Sequence, residues 1–281
     1  MTMRRMRISV VLSAMATAVA VLATAAMAAT INDDDGGHRL RGTADGDTIN
    51  AAGGHDRVFA LAGDDSIDAG WGRDRVRAGL GNDVVEGGIG RDIVNGAGGN
   101  DTLNGGPGFD LVFGAAGDDT LNGGLRRDHL LGGYGNDVVS GDNGSDRISG
   151  GRDNDVERGG NGNDRIAANQ GVDELFGDAG NDRLWALARV DVDTSAGPDV
   201  IADTVHGGAG NDRIHTRDGE ADRIDCGDGR DRALLDQQDV IIDATPTNAN
   251  GSCEVVTRAD PQPNEDRAEN GEQAPQDNDQ Q

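Results

Sequence analysis

Sixteen aspartates recur at an unbroken interval of nine residues: Asp47, Asp56, Asp65, Asp74, Asp83, Asp92, Asp101, Asp110, Asp119, Asp128, Asp137, Asp146, Asp155, Asp164, Asp173 and Asp182. Acids spaced this strictly act together only if the chain stacks them side by side. The chemistry open to such a file of carboxylates is the binding of a cation through oxygen. Two residues after each aspartate stands an aliphatic side chain, from Ile49, Val58 and Ile67 to Leu184, with Glu157 as the one exception. Two residues before it stands glycine, except at Asp45, Arg126 and Asp153. A fixed period of this kind is read first, because it sets the whole architecture.

The unit from Gly105 to Phe113 illustrates what must position each acid. Its glycine-rich half turns tightly through positive φ and leaves carbonyls without strand partners. Its last three residues alternate outward, inward and outward, as in a very short strand. Such a strand holds only when neighbours stack on it, and stacking sets one aspartate about 4.8 Å above another. Without a cation that column repels itself. Calcium takes six to eight oxygens, from carboxylates and backbone carbonyls, at about 2.3–2.6 Å. Magnesium demands a stricter octahedron and keeps its waters. Zinc prefers His or Cys, and the five histidines are scattered; His129, His206 and His215 read as ordinary surface residues.

The residue after each aspartate alternates in type. Odd units carry Thr48, Ser66, Val84, Thr102, Thr120, Val138, Val156 and Glu174, whereas even units carry Arg57, Arg75, Ile93, Leu111, His129, Arg147, Arg165 and Arg183. The structural period is therefore eighteen, with two repeats per coil and odd and even strands in separate sheets. The sixteen repeats make eight coils, ten with the later copies, in a rod roughly 50 Å long at about 4.8 Å per coil.

Composition agrees with a solenoid rather than a conventional core. The 281 residues include 46 glycines but only four Phe, two Trp and one Tyr, too little bulky apolar material for a globular interior. The formal charge is −26, and the first 28 residues contribute +3 of it through Arg4, Arg5 and Arg7. Such self-repulsion opposes a compact state unless counter-ions intervene, and it argues against nucleic acid as a partner.

Taken in order, residues 1–28 have a basic start, an apolar run and the ending Ala26-Met27-Ala28. They fit a secretory signal peptide cut after Ala28 rather than a retained anchor, which leaves no membrane span. An acidic lead-in follows at 29–41, then the sixteen-repeat array at 42–185. Residues 186–201 read as an inserted loop. Residues 202–234 hold further degenerate repeats, with a clean copy around Asp212 and looser ones at Asp203, Asp222 and Asp231. Residues 235–258 read as an apolar cap over the last coil, and 259–281 as a disordered acidic tail. In an exported chain Cys226 and Cys253, the only cysteines, most simply form a disulfide.

These units resemble the hemolysin-type (RTX) calcium-binding repeat, G-G-x-G-x-D-x-U-x. Residues 132–140 and 159–167 match it throughout. The resemblance implies a right-handed parallel β-roll with several calcium ions in its turns, bound by the repeat aspartates and turn carbonyls, that folds on meeting external calcium. The chain departs from the large toxins, proteases and lipases of this kind: no catalytic region precedes the repeats, and the export signal is N-terminal. Its cysteine-containing end looks more like small secreted calcium-binding proteins of actinobacterial type. Arg126 spoils one unit, and the unit Gly151–Arg158, with Asp153 and Glu157, is the weakest.

No H-E-x-x-H or G-x-S-x-G occurs, so the commonest zinc-protease and lipase signatures are absent and no enzyme is expected. The reading is a secreted, extracellular calcium-binding protein acting as a calcium-dependent structural or adhesive module. On the even face, arginines stand beside Phe59, Phe113, Leu131, Ala167 and Trp185, a surface suited to an envelope polysaccharide or a protein partner. Two alternatives are an exported calcium buffer with no macromolecular partner and a non-catalytic companion of a secreted enzyme or toxin.

Overall fold

The computed structural model describes residues 27–186, 202–218, 220–244, 248 and 251–259. Most of the expected signal segment, the inserted loop beyond Ala186 and the acidic tail beyond Ala259 lie outside the described residues. Among the described residues every regular element is a strand, and no helix is long and apolar enough to cross a membrane.

The chain winds into a parallel β-solenoid of about 11 turns. Each coil crosses from an odd strand to an even one, as from Thr102–Pro107 to Leu111–Ala116. Odd strands pair only with odd and even with even. The register in the array is eighteen residues: Leu103 lies opposite Leu121, and Val112 opposite Leu130. The even sheet has twelve strands, from Arg39–Arg41 to Val255–Arg258. The odd sheet runs from Thr30–Asn32 to Val240–Ile241.

Why this register holds is visible at the middle residue of each strand. Ile49, Ile67, Val85, Leu103, Leu121 and Val139 from the odd sheet face Val58, Val76, Val94, Val112, Leu130 and Ile148 from the even sheet, all buried. Each contributes roughly 1.5–3 kcal/mol on leaving water. The interior is one side chain deep from each sheet. Branched aliphatics fill that space, which explains how the chain folds with so few aromatics. A slip of one residue would turn every one of these side chains outward.

Three differences from the sequence expectation stand out. The lead-in is itself part of the solenoid: Thr30–Asn32 pairs with Thr48–Asn50, and Arg39–Arg41 with Arg57–Phe59, because Ile31 and Leu40 take the inward places. The apolar segment after Leu235 caps the stack by adding strands to it: Val240–Ile241 pairs with Arg223–Ile224, and Val255–Arg258 with Arg232–Leu235. The solenoid is therefore longer than the ten coils expected. Many strands also run six residues rather than three, because the glycine pair after the inward residue keeps pairing with its neighbour, as in Gly106 opposite Gly124.

The inserted segment does not break the array. Glu174–Phe176 pairs directly with Thr204–His206, and Arg183–Trp185 with Arg213–His215. Nor do the irregular units. Arg126 and Asp153 adopt φ of 83° and 73°, in the left-handed region that the equivalent Gly117 (φ 130°) and Gly135 (φ 113°) also occupy. The turn survives at the cost of placing a side chain where glycine is favoured.

Candidate metal centre

All seventeen aspartates singled out by the spacing, the array sixteen and Asp212, are buried, none more than 3% exposed. They form two files, one for each turn of the coil. Each member ties to the next through one oxygen only. In the odd file, the Asp83 N–H donates to Asp101 Oδ1 at 2.8 Å, and the Asp101 N–H to Asp119 Oδ1 at 2.8 Å. In the even file, Asp92 N–H reaches Asp110 Oδ1, and Asp110 N–H reaches Asp128 Oδ1, both at 2.7 Å. The other oxygen, Oδ2, has no hydrogen-bond partner at Asp101, Asp110, Asp119, Asp128 and most of their equivalents.

That idle oxygen faces a defined space. A β-carbon built on Gly105 would lie 3.1 Å from Asp110 Oδ2 and 2.8 Å from the carbonyl oxygen of Gly123, one coil on. At Gly123 the same construction meets Asp128 Oδ2 and the Gly141 carbonyl, both at 2.9 Å. At Gly159 it meets Asp164 Oδ2 at 2.6 Å and the Gly177 carbonyl at 2.7 Å. Glycine five residues before the aspartate thus leaves room where a carboxylate and a carbonyl converge. Ala51, Ala60, Ala69 and Ala78 stand at the equivalent place before Asp56, Asp65, Asp74 and Asp83, so the first coils are lined differently.

Burial raises the pKa of most of these carboxylates. Desolvation is the largest cause in each case, with neighbouring carboxylates adding to it and the backbone N–H bond opposing. Asp92, Asp101, Asp146 and Asp182 are pushed up to about 7. Asp128, Asp155 and Asp203 reach about 8, and Asp222 about 10. An ionised carboxylate buried without a partner costs several kcal/mol. A hard cation removes that cost.

The donor set fits calcium: carboxylate and carbonyl oxygens, repeated, with neither sulfur nor imidazole in the array files. The idle Oδ2 atoms and the turn carbonyls are the groups that would hold it. Calcium supplies the positive charge that lets the buried carboxylates stay ionised.

The files run on through the degenerate copies at Asp203, Asp212, Asp222 and Asp231 and beyond them to Asp239 and Glu254. Asp173 N–H donates to Asp203 Oδ1 across thirty residues, and Asp182 N–H to Asp212 Oδ1 likewise. Asp203 then reaches Asp222, Asp212 reaches Asp231, and Asp222 reaches Asp239. Asp231 N–H ends the even file on Glu254 Oε2 at 2.5 Å. Asp203, Asp222, Asp231, Asp239 and Glu254 each have an aliphatic residue two positions on. At Asp239 and Glu254, which the spacing did not single out, that signal was available, but insertions had broken the nine-residue step. At the other end His38 N–H donates to Asp56 Oδ1 at 2.6 Å, and the His38 ring meets Asp33 at 2.8 Å.

A second ladder had no place in the sequence reading. The residue before many of the repeat aspartates links coils in the opposite sense: in the odd file Asn100 N–H donates to Asn82 Oδ1, Asp118 N–H to Asn100 Oδ1, and Asn136 N–H to Asp118 Oδ1, at 2.8–3.0 Å. It braces the turn backbone from outside. The disulfide joins Cys226 to Cys253, with Cα atoms 5.2 Å apart and both residues buried.

On the even face, Arg147, Arg165, Arg183, Arg213 and Arg232 stand in register on successive strands. The apolar residues expected to project beside them are half-buried: Phe113 is in register with Leu131 and Ala167 with Trp185, and the Arg39 guanidinium lies 4.8 Å from the Phe59 ring centre. The apolar side chains most open to solvent sit at strand ends instead: Trp71 is 71% exposed, Leu80 66% and Tyr134 57%. His206 stacks on Phe176 with ring centroids 4.9 Å apart.

No curated protein matches the chain. A family profile, the RTX calcium-binding nonapeptide repeat (4 copies), matches residues 34–67, 41–76, 68–103, 95–125, 123–157, 158–188 and 202–233. These matches run over most of the solenoid and over the stretch that carries the buried aspartate files. The chain belongs to the RTX calcium-binding nonapeptide repeat family.

Proposed function

We propose that this calcium-binding solenoid is a secreted, non-catalytic protein that stiffens in extracellular calcium and serves as a structural or adhesive rod. The export half of the reading rests on the basic and apolar start of the chain. The adhesive half is supported by one observation above others, the register of Arg147, Arg165, Arg183, Arg213 and Arg232 along the even sheet. Guanidinium groups repeated at the strand spacing, about 4.8 Å, suit a polyanion with closely spaced carboxylates or sulfates. The partner class is thus an anionic envelope polysaccharide.

The test is binding of the full chain to envelope glycans, in calcium and in chelator. Capture only in calcium, lost in a chain carrying Arg147→Gln, Arg165→Gln and Arg183→Gln, supports the reading. Unchanged capture by that variant ends it. The density of idle carboxylates keeps a second reading in play, an exported calcium buffer. A chain that loads calcium but retains neither glycan nor surface protein is that buffer.

A further inference from the structure

One carboxylate in the interior has no counterpart elsewhere in the odd sheet. The inward position is aliphatic in every described odd strand except at Glu157, which lies between Val139 and Leu175. Glu157 is 0% exposed, neither of its carboxylate oxygens has a hydrogen-bond partner of good geometry, and the Gly150 N–H is the one group that favours its ionised form. The charged groups that act on it are the acids Asp173, Asp155 and Asp203. An ion in that setting is strongly disfavoured unless a cation sits against it.

Its direction shows where that cation would be. A β-carbon on Gly150 would collide with both Asp155 Oδ2 and Glu157 Oε1. At Gly132 and Gly114, the equivalent places in the two preceding coils, the same construction meets one aspartate Oδ2 and the carbonyl of the glycine one coil on. The Glu157 carboxylate therefore enters, from the core side, the space that elsewhere belongs to a single carboxylate and a carbonyl.

We propose that Glu157 is a calcium ligand, forming with Asp155 a two-carboxylate site at Gly150 that holds its ion more tightly than the one-carboxylate sites of neighbouring coils. The inference rests on the calcium reading of the array. It reverses the ranking drawn from the repeat pattern, in which the unit holding Glu157 is the weakest. The carboxylate that breaks the aliphatic column brings a second negative charge to one ion, and ligand charge is what grades calcium affinity over several decades.

The experiment is a calcium isotherm of the full chain by calorimetry with a competing chelator, on wild type, Glu157→Val and Glu157→Gln. Valine restores what Val139 offers in the adjacent strand, and glutamine keeps the shape while removing the charge. The expected result is loss of the tightest class of site in both variants, weakened by about tenfold or more, with the remaining sites unchanged. Isotherms superimposable on wild type, with only a gain in thermal stability, would make Glu157 a neutral core acid and overturn the proposal. Wild type taking up no calcium would instead bring down the array reading itself.

Discussion

Replacing Asp101 by asparagine separates the two jobs its carboxylate performs. Asparagine keeps an oxygen for the Asp83 N–H, which now donates to Asp101 Oδ1 at 2.8 Å. It removes the charge and puts an amide at the idle Oδ2. In the metal-free chain burial pushes the Asp101 carboxyl from 3.8 up to about 7. A folded-state value raised above the unfolded one stabilises the fold at acid pH, and that stability is lost as pH rises through about 7. From 3.8 to about 7, the cost of ionising the group in place is of order 4 kcal/mol at pH 8. D101N abolishes that cost, so in chelator at pH 8 the variant is more stable than wild type by up to roughly that amount. In calcium the sign reverses. A site filled at a hundred times its dissociation constant stabilises by about 2.7 kcal/mol, and D101N forfeits much of it. Urea unfolding followed by circular dichroism, in chelator and in saturating calcium, reads both signs. If D101N destabilises the chain equally in both, the carboxylate serves only its hydrogen bond, and the charge argument fails.

Other outcomes follow from the same geometry. In chelator, acid substitutes for calcium: Asp92, Asp101, Asp146 and Asp182 at about 7 and Asp128, Asp155 and Asp203 at about 8 place a gain in β signal on lowering pH through the range 8 to 6, whereas in calcium the signal is flat there. Gly162→Ala puts a β-carbon into the carbonyl of Gly144 at φ 153°, a conformation reserved for glycine; it costs about 1–3 kcal/mol in calcium and in chelator alike, as thermal melts would register. Reducing Cys226–Cys253, which span 27 residues, removes on the order of 3 kcal/mol. The loss is local, so hydrogen exchange accelerates first in Val240–Ile241 and Val255–Arg258.

What could be read without coordinates was whatever repeats. The nine-residue step from Asp47 to Asp182, the aliphatic two places on and the alternation of small residues with arginine determined a two-repeat coil, two parallel sheets and a stacked column of aspartates. These follow from the chain alone because stacking makes residues eighteen apart neighbours, so one period fixes every equivalent contact. The tertiary structure decided what does not repeat and what depends on single atoms. It showed that Ile31 and Leu40 start the solenoid before the first repeat aspartate, and that Asp239 and Glu254 continue the files beyond the degenerate copies. It divided most of the carboxylates into one oxygen held by the preceding coil and one left idle, beside glycine from Asp92 to Asp164. It also turned Glu157 from an error in the pattern into an acid aimed at Gly150. A sequence states which groups recur, but which lone pair is already occupied depends on how closely one coil settles on the next.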